Sequence, residues 1–274
     1  MSETTLTLND GAAIPRLGFG VWRVEDAQAP DIVGAALAAG YRSIDTAAAY
    51  GNEAGVGRAI RESGLSRDAV FVTTKLWNDR HGYDSALRAF DESLARLGLD
   101  HVDLYLVHWP VPARDAYVET WRALIRLREE GRARSIGVSN FSVAHLERIV
   151  AETGVTPAVN QIELHPRFQQ ADLRRFHAGA GIATEAWSPL GRGALLDDPA
   201  IVAAARKHGR TPAQVVLRWH LDLGHVVIPK SANPERIREN FSVSDFALDE
   251  QDLTTIAALD RPDGRIGPDP ETFG

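Results

Sequence analysis

A carboxylate and a phenol stand five residues apart in the segment I-D-T-A-A-A-Y-G-N-E, which spans residues 44–53. Asp45 ends a short apolar run that is typical of a buried strand, and Tyr50 follows among small residues that cannot cover it. A free tyrosine has a pKa of about 10 and is a poor acid at neutral pH unless a neighbouring cation stabilises its phenolate. Lys75, which ends the segment V-F-V-T-T-K, could be that cation.

Lys75 and His108 complete a group of side chains that could donate a proton. Lys75 leaves a buried strand and needs a counter-ion, which Asp45 supplies if the second and third strands are neighbours. His108 ends the next apolar run, L-Y-L-V-H, and could hydrogen-bond a substrate oxygen beside Tyr50. A salt bridge and a core histidine would explain three of these residues without catalysis, but they leave the phenol unexplained.

The chemistry that this group suits is protonation of a carbonyl oxygen. The sequence has no cysteine, so it lacks the nucleophile of thiol catalysis. It also has neither the zinc-binding motif H-E-x-x-H nor the nucleophile elbow G-x-S-x-G. Proton addition to a ketone or aldehyde is useful when a hydride arrives at its carbon, and no side chain donates a hydride. We therefore expect a redox cofactor and predict no metal site.

The later strand ends carry side chains that suit a nicotinamide. Trp187 offers a broad ring for stacking, while Ser139, Asn140 and Gln161 offer the hydroxyl and amide groups that a carboxamide requires. Routine loop capping is the alternative explanation for each of these polar residues.

A basic segment, V-I-P-K-S-A-N-P-E-R, follows the last predicted strand. Lys230 and Ser231 stand at the strand end, and a helix is predicted to open at Asn233 and Pro234 with Arg236 in its first turn. A helix N-terminus flanked by Lys and Arg suits a 2′-phosphate, which favours NADP(H) over NAD(H). The alternative is a surface basic cluster on an acidic protein.

The elements that must position these residues follow an alternating pattern. Eight short apolar runs alternate with segments of helical periodicity, which indicates βαβ units and a parallel sheet. The strand candidates are residues 17–20, 43–45, 70–75, 102–107, 135–139, 158–162, 182–187 and 226–229. In a chain of 274 residues this pattern predicts one domain, 1–274, folded as a (β/α)8 TIM barrel of the α/β class. A doubly wound sheet is the competitor, but no G-x-G pair carries the third glycine of the dinucleotide fingerprint.

Two terminal segments are expected to close the barrel. The first residues read as an N-terminal β-hairpin turned at residues 9–11, which would cover the bottom of the barrel. The Gly- and Pro-rich residues 261–274 read as a C-terminal loop over the active site. At the same end, Trp22, Trp77 and Trp109 each follow a strand and would form the walls of a substrate pocket.

Charge and composition disfavour several classes of function. The formal net charge is -7 and the isoelectric point is about 5.7, which argues against binding to nucleic acid. The first residues lack the basic and apolar regions of a signal peptide, and no apolar run reaches the length of a membrane span. We expect a cytoplasmic protein without a membrane or nucleic-acid partner. A barrel can close within one chain, so a monomer is the default.

Five segments resemble the signatures of the aldo-keto reductases. They are G-Y-R-S-I-D-T-A-A-A-Y-G-N-E at 40–53, D-L-Y-L-V-H-W-P at 103–110, S-I-G-V-S-N-F at 135–141, V-N-Q-I-E-L-H-P at 159–166 and I-P-K-S at 228–231. The resemblance implies an NADPH-dependent carbonyl reductase in which Tyr50 is the acid, Lys75 and Asp45 tune it, and His108 orients the substrate. It implies cofactor contacts at Ser139, Asn140, Gln161, Trp187, Ser188, Leu190, Lys230, Ser231, Arg236, Glu239 and Asn240.

Within that family, the segment T-T-K-L-W-N-D-R-H at 73–81 and Trp187 resemble the bacterial 2,5-diketo-D-gluconate reductases. The chain departs from them at Trp22, where they tend to have phenylalanine, and at Ser188, where glycine is familiar. The expected substrates are 2,5-diketo-D-gluconate, reduced to 2-keto-L-gulonate, or related small dicarbonyls and keto esters. Two other functions stay open: a non-catalytic NADP-sensing subunit, and a Schiff-base aldolase, which would need a neutral Lys75.

Overall fold

Eight parallel strands form a barrel in the computed structural model, which describes residues 4–274. A short antiparallel hairpin precedes them, made of β1 (Thr5–Thr7) and β2 (Ala13–Pro15). The barrel strands are β3 (Phe19–Gly20), β4 (Ser43–Asp45), β5 (Phe71–Leu76), β6 (Val102–Val107), β7 (Ala133–Ser139), β8 (Val159–Glu163), β9 (Ala183–Trp187) and β10 (Val226–Val227). Each pairs with the strand that follows it in the chain, as the alternating pattern predicts.

The first and last strands close the barrel through their backbones. Leu17 bridges Val227 in parallel, and the Gly18 amide donates a 2.9 Å hydrogen bond to the carbonyl oxygen of Val227. The Gly20 amide adds a 3.1 Å bond to Pro229 one step further along. The expected (β/α)8 fold is therefore confirmed, with strand ends that differ from the predicted ones by at most two residues.

Ten α-helices lie among the described residues, most of them on the outside of the barrel between strands. They are α1 (Ala29–Ala39), α2 (Glu53–Glu62), α3 (Tyr83–Leu97), α4 (Tyr117–Glu129), α5 (Val143–Thr153), α6 (Ala171–Ala180), α7 (Pro199–His208), α8 (Pro212–Asp222), α9 (Pro234–Phe241) and α10 (Glu250–Ala257). Their ends follow local sequence signals. Gly98 ends α3 with a φ of 63°, and Thr211 and Gln214 form a reciprocal capping box at the start of α8.

The N-terminal hairpin covers the barrel at the end opposite Tyr50 and His108. Leu8 and Ile14 are buried, and they pack in one cluster with Leu104, Leu106 and other side chains of the barrel strands. The hairpin turns as expected: the amide of Leu8 donates to the carbonyl of Ala12 at 2.8 Å. Apolar side chains therefore close this end, and the cavity lies at the other one.

The backbone of α2 lies directly against the end of α3, and glycine makes this approach possible. A Cβ built on Gly57 would overlap the carbonyl oxygen of Leu97. Gly34, in the interior of α1, has open space where its Cβ would stand. The two helical glycines thus differ only in what surrounds them.

We expect Gly57→Ala to lower the free energy of unfolding by about 2 kcal/mol or more, because the added methyl group forces α2 away from α3. The matched control is Gly34→Ala, which should leave stability unchanged or raise it by up to about 1 kcal/mol through helix propensity. Urea unfolding followed by circular dichroism measures both. Equal effects at the two positions would contradict the close approach.

Candidate active site

The carboxyl ends of β4 and β5 bring an ion pair together in the floor of the barrel. Lys75 Nζ donates to Asp45 Oδ1 at 2.6 Å and to the carbonyl oxygen of Thr46 at 2.9 Å. The short 3-10 turn Ala48–Tyr50 places the phenolic oxygen of Tyr50 at 3.4 Å from the same ammonium. Lys75 is completely buried and Asp45 almost so. The ammonium therefore has three oxygen partners, and Tyr50 is one of them.

Burial and charge act in opposite directions on these groups. Burial by itself would lower the pKa of Lys75, but Asp45 and its neighbours raise it above its ordinary value, so Lys75 stays an ammonium. Burial raises the pKa of Tyr50, while the charge and the hydrogen bond of Lys75 lower it. The expected acidification of Tyr50 by Lys75 is present but does not outweigh burial. Lys75 can therefore act on the phenolate that forms during proton transfer rather than on the resting phenol.

His108 lies beside the phenol in a neutral form. Its ring stands edge-on to Tyr50, with ring centres 5.7 Å apart, and edge-on to Trp77, with centres 5.1 Å apart. Burial and the charge of Lys75 hold the pKa of His108 well below its usual value. A neutral imidazole carries one N–H, which suits donation to a substrate oxygen.

A cavity of about 730 Å³ opens above these residues at the carboxyl end of the barrel. The predicted site residues that line it are Trp22, Asp45, Tyr50, Trp77, His108, Trp109, Asn140, Gln161, Trp187, Ser188, Leu190 and Lys230. Lys75 and Ser139 lie beneath its surface, fully buried. Four predicted cofactor residues, Ser231, Arg236, Glu239 and Asn240, lie outside the cavity, next to Lys230 and along α9.

Aromatic rings form one wall of the cavity. Trp109 and Phe273 have ring centres 4.6 Å apart, and Trp77 stands 6.4 Å from Phe273. Phe273 comes from the C-terminal loop, so the expectation that this segment folds over the pocket is confirmed. Sequence reasoning did not single out Phe273, although an aromatic residue at the end of a Gly- and Pro-rich tail was a usable signal.

A buried carboxylate anchors that loop. Glu163, at the end of β8, accepts hydrogen bonds from the amides of Ile266 at 2.6 Å and Gly267 at 2.7 Å. A Cβ on Gly267 would overlap the ring of Trp187, so the loop backbone rests on this indole. The C-terminal loop therefore depends on two strand ends, those of β8 and β9.

Two arginines that sequence reasoning missed stand at the cavity mouth. The guanidinium of Arg23 lies 4.2 Å from the ring centre of Trp22, and that of Arg192 lies 5.1 Å from it. Both arginines have a left-handed backbone, with φ of 59° and 54°. Together with Lys230 they concentrate positive charge on this side of an acidic protein. No sequence motif around Arg23 or Arg192 marks such a role.

The predicted carboxamide partners form a connected group around Trp187. The indole Nε1 of Trp187 donates to Asn140 Oδ1 at 2.8 Å, and Asn140 Nδ2 donates to the carbonyl of His108 and the hydroxyl of Ser139, both at 3.0 Å. Ser139 donates in turn to the carbonyl of Gln161 at 2.8 Å. Asn140 thus links Trp187, the predicted platform for a nicotinamide ring, to the strand end that holds His108. Its left-handed φ of 63° allows this reach.

Ser188 lies directly after this platform with a φ of 49°, which is in the left-handed region that favours glycine. This backbone conformation gives a physical reason for the glycine that the resemblance leads us to expect there. Trp22 and Ser188, the two positions at which the sequence differs from the pattern of the 2,5-diketo-D-gluconate reductases, both line the cavity.

The basic segment after β10 starts a helix as predicted, but the helix amides already have a partner. The side chain of Asn233 accepts hydrogen bonds from the amides of Glu235 at 2.8 Å and Arg236 at 3.2 Å. A phosphate at this end must therefore be held by the side chains of Lys230, Ser231 and Arg236 more than by free backbone N–H groups. The side chains of Lys230 and Arg236 are exposed and can reach an anion.

Glu239 and Asn240 lie one turn further along α9, closer to the protein body. Thr211 donates to Glu239 Oε1 at 2.7 Å, and Asn240 is buried.

Residues 4–274 contain no group of three or more His, Asp or Glu side chains arranged to hold a metal ion. In the same range, no helix is both long and apolar enough to cross a membrane.

Comparisons with known proteins agree with this geometry. The sequence model described as the Aldo/keto reductase family matches residues 16–261. An aldo-keto reductase of Mycolicibacterium smegmatis is 58% identical over 268 residues, covering 98% of this chain and 97% of that protein. The methylglyoxal reductase DkgA of Escherichia coli K12 is 52% identical over 275 residues, covering 100% of this chain and 99% of DkgA.

A solved structure matches over the full length. It is an aspartate-to-alanine variant of Gox0644 in complex with NADPH, with a TM-score of 0.96, 51% identity and coverage of 100% of both chains. The eight-stranded barrel, the site and these matches point to one conclusion. The chain belongs to the aldo/keto reductase family, and the expectations of an oxidoreductase and of an NADP(H) cofactor are confirmed.

Proposed function

We propose that the protein reduces small dicarbonyl compounds, such as methylglyoxal and 2,5-diketo-D-gluconate, with Tyr50 as the general acid. The observation that carries the proposal is the 3.4 Å approach of Lys75 Nζ to the phenolic oxygen of Tyr50 in the floor of the cavity. A lysine with that contact and a buried carboxylate partner supports proton donation at neutral pH.

The protein's own residues handle the proton. Bound NADPH supplies the hydride that adds to the carbonyl carbon. Tyr50 donates its hydroxyl proton to the carbonyl oxygen, and Lys75 stabilises the phenolate that is left. Asp45 keeps Lys75 charged throughout. The N–H of neutral His108 holds the carbonyl oxygen near the phenol, so that both act on the same atom.

The predicted cofactor residues divide into two groups. Trp187 would stack on the nicotinamide, and the amide oxygen of Gln161 would accept a hydrogen bond from its carboxamide. Lys230, Ser231 and Arg236 would hold the 2′-phosphate by charge-assisted hydrogen bonds. Gln161 and Trp187 line the cavity beside Tyr50, which supports this arrangement.

The walls of the cavity support small dicarbonyls over bulky ketones as substrates. Trp77, Trp109 and Phe273 close one side of it, and Trp22 stands at its mouth. Such flat apolar walls favour compact substrates, and the two rim arginines give a substrate carboxylate a place to bind. The likeness to a methylglyoxal reductase over the whole chain supports the same class.

A Schiff-base aldolase is the weaker alternative. That chemistry needs a neutral lysine with a free lone pair, but Asp45, Thr46 and Tyr50 occupy the three N–H groups of Lys75. The raised pKa of Lys75 opposes its deprotonation as well.

The expectations of a monomer and of a cytoplasmic location stay predictions.

We expect Tyr50→Phe to lower turnover by about 10²-fold or more, because the ring stays but the proton is lost. The dissociation constant of NADPH should stay within about 2-fold of the wild-type value, because the phenol does not hold the cofactor. Steady-state kinetics and fluorescence titration measure the two. Tyr83→Phe, at an exposed tyrosine outside the cavity, is the control and should keep full turnover. Full turnover in Tyr50→Phe would remove the proposed acid.

We expect Arg236→Ala to raise the dissociation constant of NADPH by about 10-fold or more, the scale of one charge-assisted hydrogen bond. Binding of NADH should be almost unchanged, because NADH lacks the 2′-phosphate. Arg238→Ala is the matched control: it removes the same charge from α9 at another exposed position. An equal loss in both variants would reassign the effect to general charge.

The function itself is tested by following NADPH oxidation with methylglyoxal, 2,5-diketo-D-gluconate, a β-keto ester, an aromatic aldehyde and a steroid ketone. We expect the two dicarbonyls to give the highest kcat/KM. Turnover of the other carbonyls alone would keep the reductase and contradict the substrate class. Tight NADPH binding with no oxidation by any substrate would favour a non-catalytic NADP-sensing subunit.

A further inference from the structure

A second carboxyl group lies inside the barrel beside the proposed catalytic residues. Glu185 is in β9, in register with Gln161 of β8 and Val226 of β10, and its side chain is 1% exposed. Among residues 4–274 it has no ion-pair partner, and its Oε1 is buried without a hydrogen bond. A buried carboxyl group with so little compensation needs an explanation, because burial of a charge is costly.

Glu185 is connected to Tyr50 by an unbroken series of hydrogen bonds. Gln161 Nε2 donates to Glu185 Oε2 and to Asp45 Oδ2, both at 2.8 Å. Asp45 holds Lys75 through its other oxygen, and Lys75 holds Tyr50. In order, the series is Glu185, Gln161, Asp45, Lys75 and Tyr50.

The contact between Glu185 and Gln161 determines which way the amide of Gln161 points. Both N–H groups of Nε2 are used by carboxyl groups, one on each side. The amide oxygen is therefore the only polar atom of Gln161 that is free to meet the cofactor carboxamide. Without Glu185, one N–H of Gln161 would lose its acceptor and the amide could rotate.

The charges of the site are unequal when every group is ionised. Asp45 and Glu185 then carry two negative charges against the single positive charge of Lys75. Burial, and next the charge of Asp45, raise the pKa of Glu185 to about 7. An ionised Glu185 in turn raises the pKa of Tyr50, because it disfavours a further negative charge nearby.

We propose that Glu185 is a positioning residue for the carbonyl reduction described above: it orients Gln161, and its protonation state sets how readily Tyr50 gives up its proton. This inference rests on the proposed function. When Glu185 is protonated, Asp45 and Lys75 balance each other and the phenolate forms more easily. When Glu185 is ionised, the extra charge opposes the phenolate and slows reduction.

The proposal predicts a specific pH dependence. The titratable groups that face Glu185 are Asp45 of β4, Tyr50 of the turn after β4, and Lys75 of β5, with Gln161 of β8 between them. At saturating NADPH and methylglyoxal, the single-turnover rate of hydride transfer should fall about 3- to 10-fold as pH rises from about 6 to about 8.5. His108 stays neutral over this range and does not produce the change.

Glu185→Gln is the direct test, because the amide keeps an oxygen acceptor for Gln161 but cannot ionise. We expect its rate to stay near the low-pH value across the same range. Glu185→Leu removes the acceptor as well, and should also weaken NADPH binding about 5-fold or more, because Gln161 is released. Glu53→Gln is the matched control: Glu53 is equally buried but binds Thr74 and Arg96 outside this series, so its variant should keep the wild-type fall in rate.

Three results would overturn the proposal. They are a wild-type rate that does not change over this pH range, a Glu185→Gln variant that keeps the wild-type fall, and a Glu53→Gln variant that loses it. The first needs no variant, so the proposal is testable even if the substitutions prevent folding. Each of these results leaves the proposed reductase in place, whereas absence of NADPH oxidation with every carbonyl would remove the proposed function itself.

Discussion

A lysine ammonium buried in the floor of the barrel is the interaction on which the rest of the site depends. An unpaired charge at this depth would be strongly destabilising, so its partners must all be in place when the protein is folded. Asp45 supplies the counter-charge, and the carbonyl of Thr46 and the phenol of Tyr50 complete the set of acceptors for the ammonium. The requirement that stabilises the fold is also the one that holds the phenol next to a cation. Structure and chemistry thus share one set of contacts.

The closed parallel barrel is what makes that arrangement possible. All strand ends of one direction meet at the same rim, so residues far apart in the chain become neighbours. Gln161 and Asp45, for example, are separated by 116 positions and touch across the barrel interior. The opposite end is closed by apolar side chains of the hairpin. The geometry of the site therefore follows from strand direction and barrel closure before any loop is considered.

Loops then complete the cavity in two ways. The C-terminal loop brings Phe273 against Trp109 and is tied to the barrel by Glu163, which lies at a strand end. On the other side, Arg23 and Arg192 flank Trp22 and give a positive rim to a protein whose net charge is negative. A cavity with such a rim attracts anions in spite of the overall charge. This local field suits a cofactor that carries several phosphates.

The sequence by itself determined the strand and helix pattern and several helix ends, and it named the residues of the proposed catalytic group. Alternating apolar runs, the glycine at 98 and the capping box at Thr211 act through neighbours a few residues away, so a single sequence shows them. Lys75 could be named because it stands at a strand end, and Tyr50 because it closely follows one. These features need only local spacing and strand order.

Only the tertiary structure decided the contacts that depend on register across the barrel. The link from Glu185 through Gln161 to Asp45 needs three strands at specific heights, and nothing in the segment A-T-E-A-W marks it. Residue type favours Asn233 as the cap of α9, but the loss of the Glu235 and Arg236 amides as phosphate donors follows only from its observed rotamer. The outward reach of Arg23 depends on a left-handed backbone that its residue type does not predict. Register, rotamer and backbone strain are set by the packing of the whole chain, which local pattern does not encode.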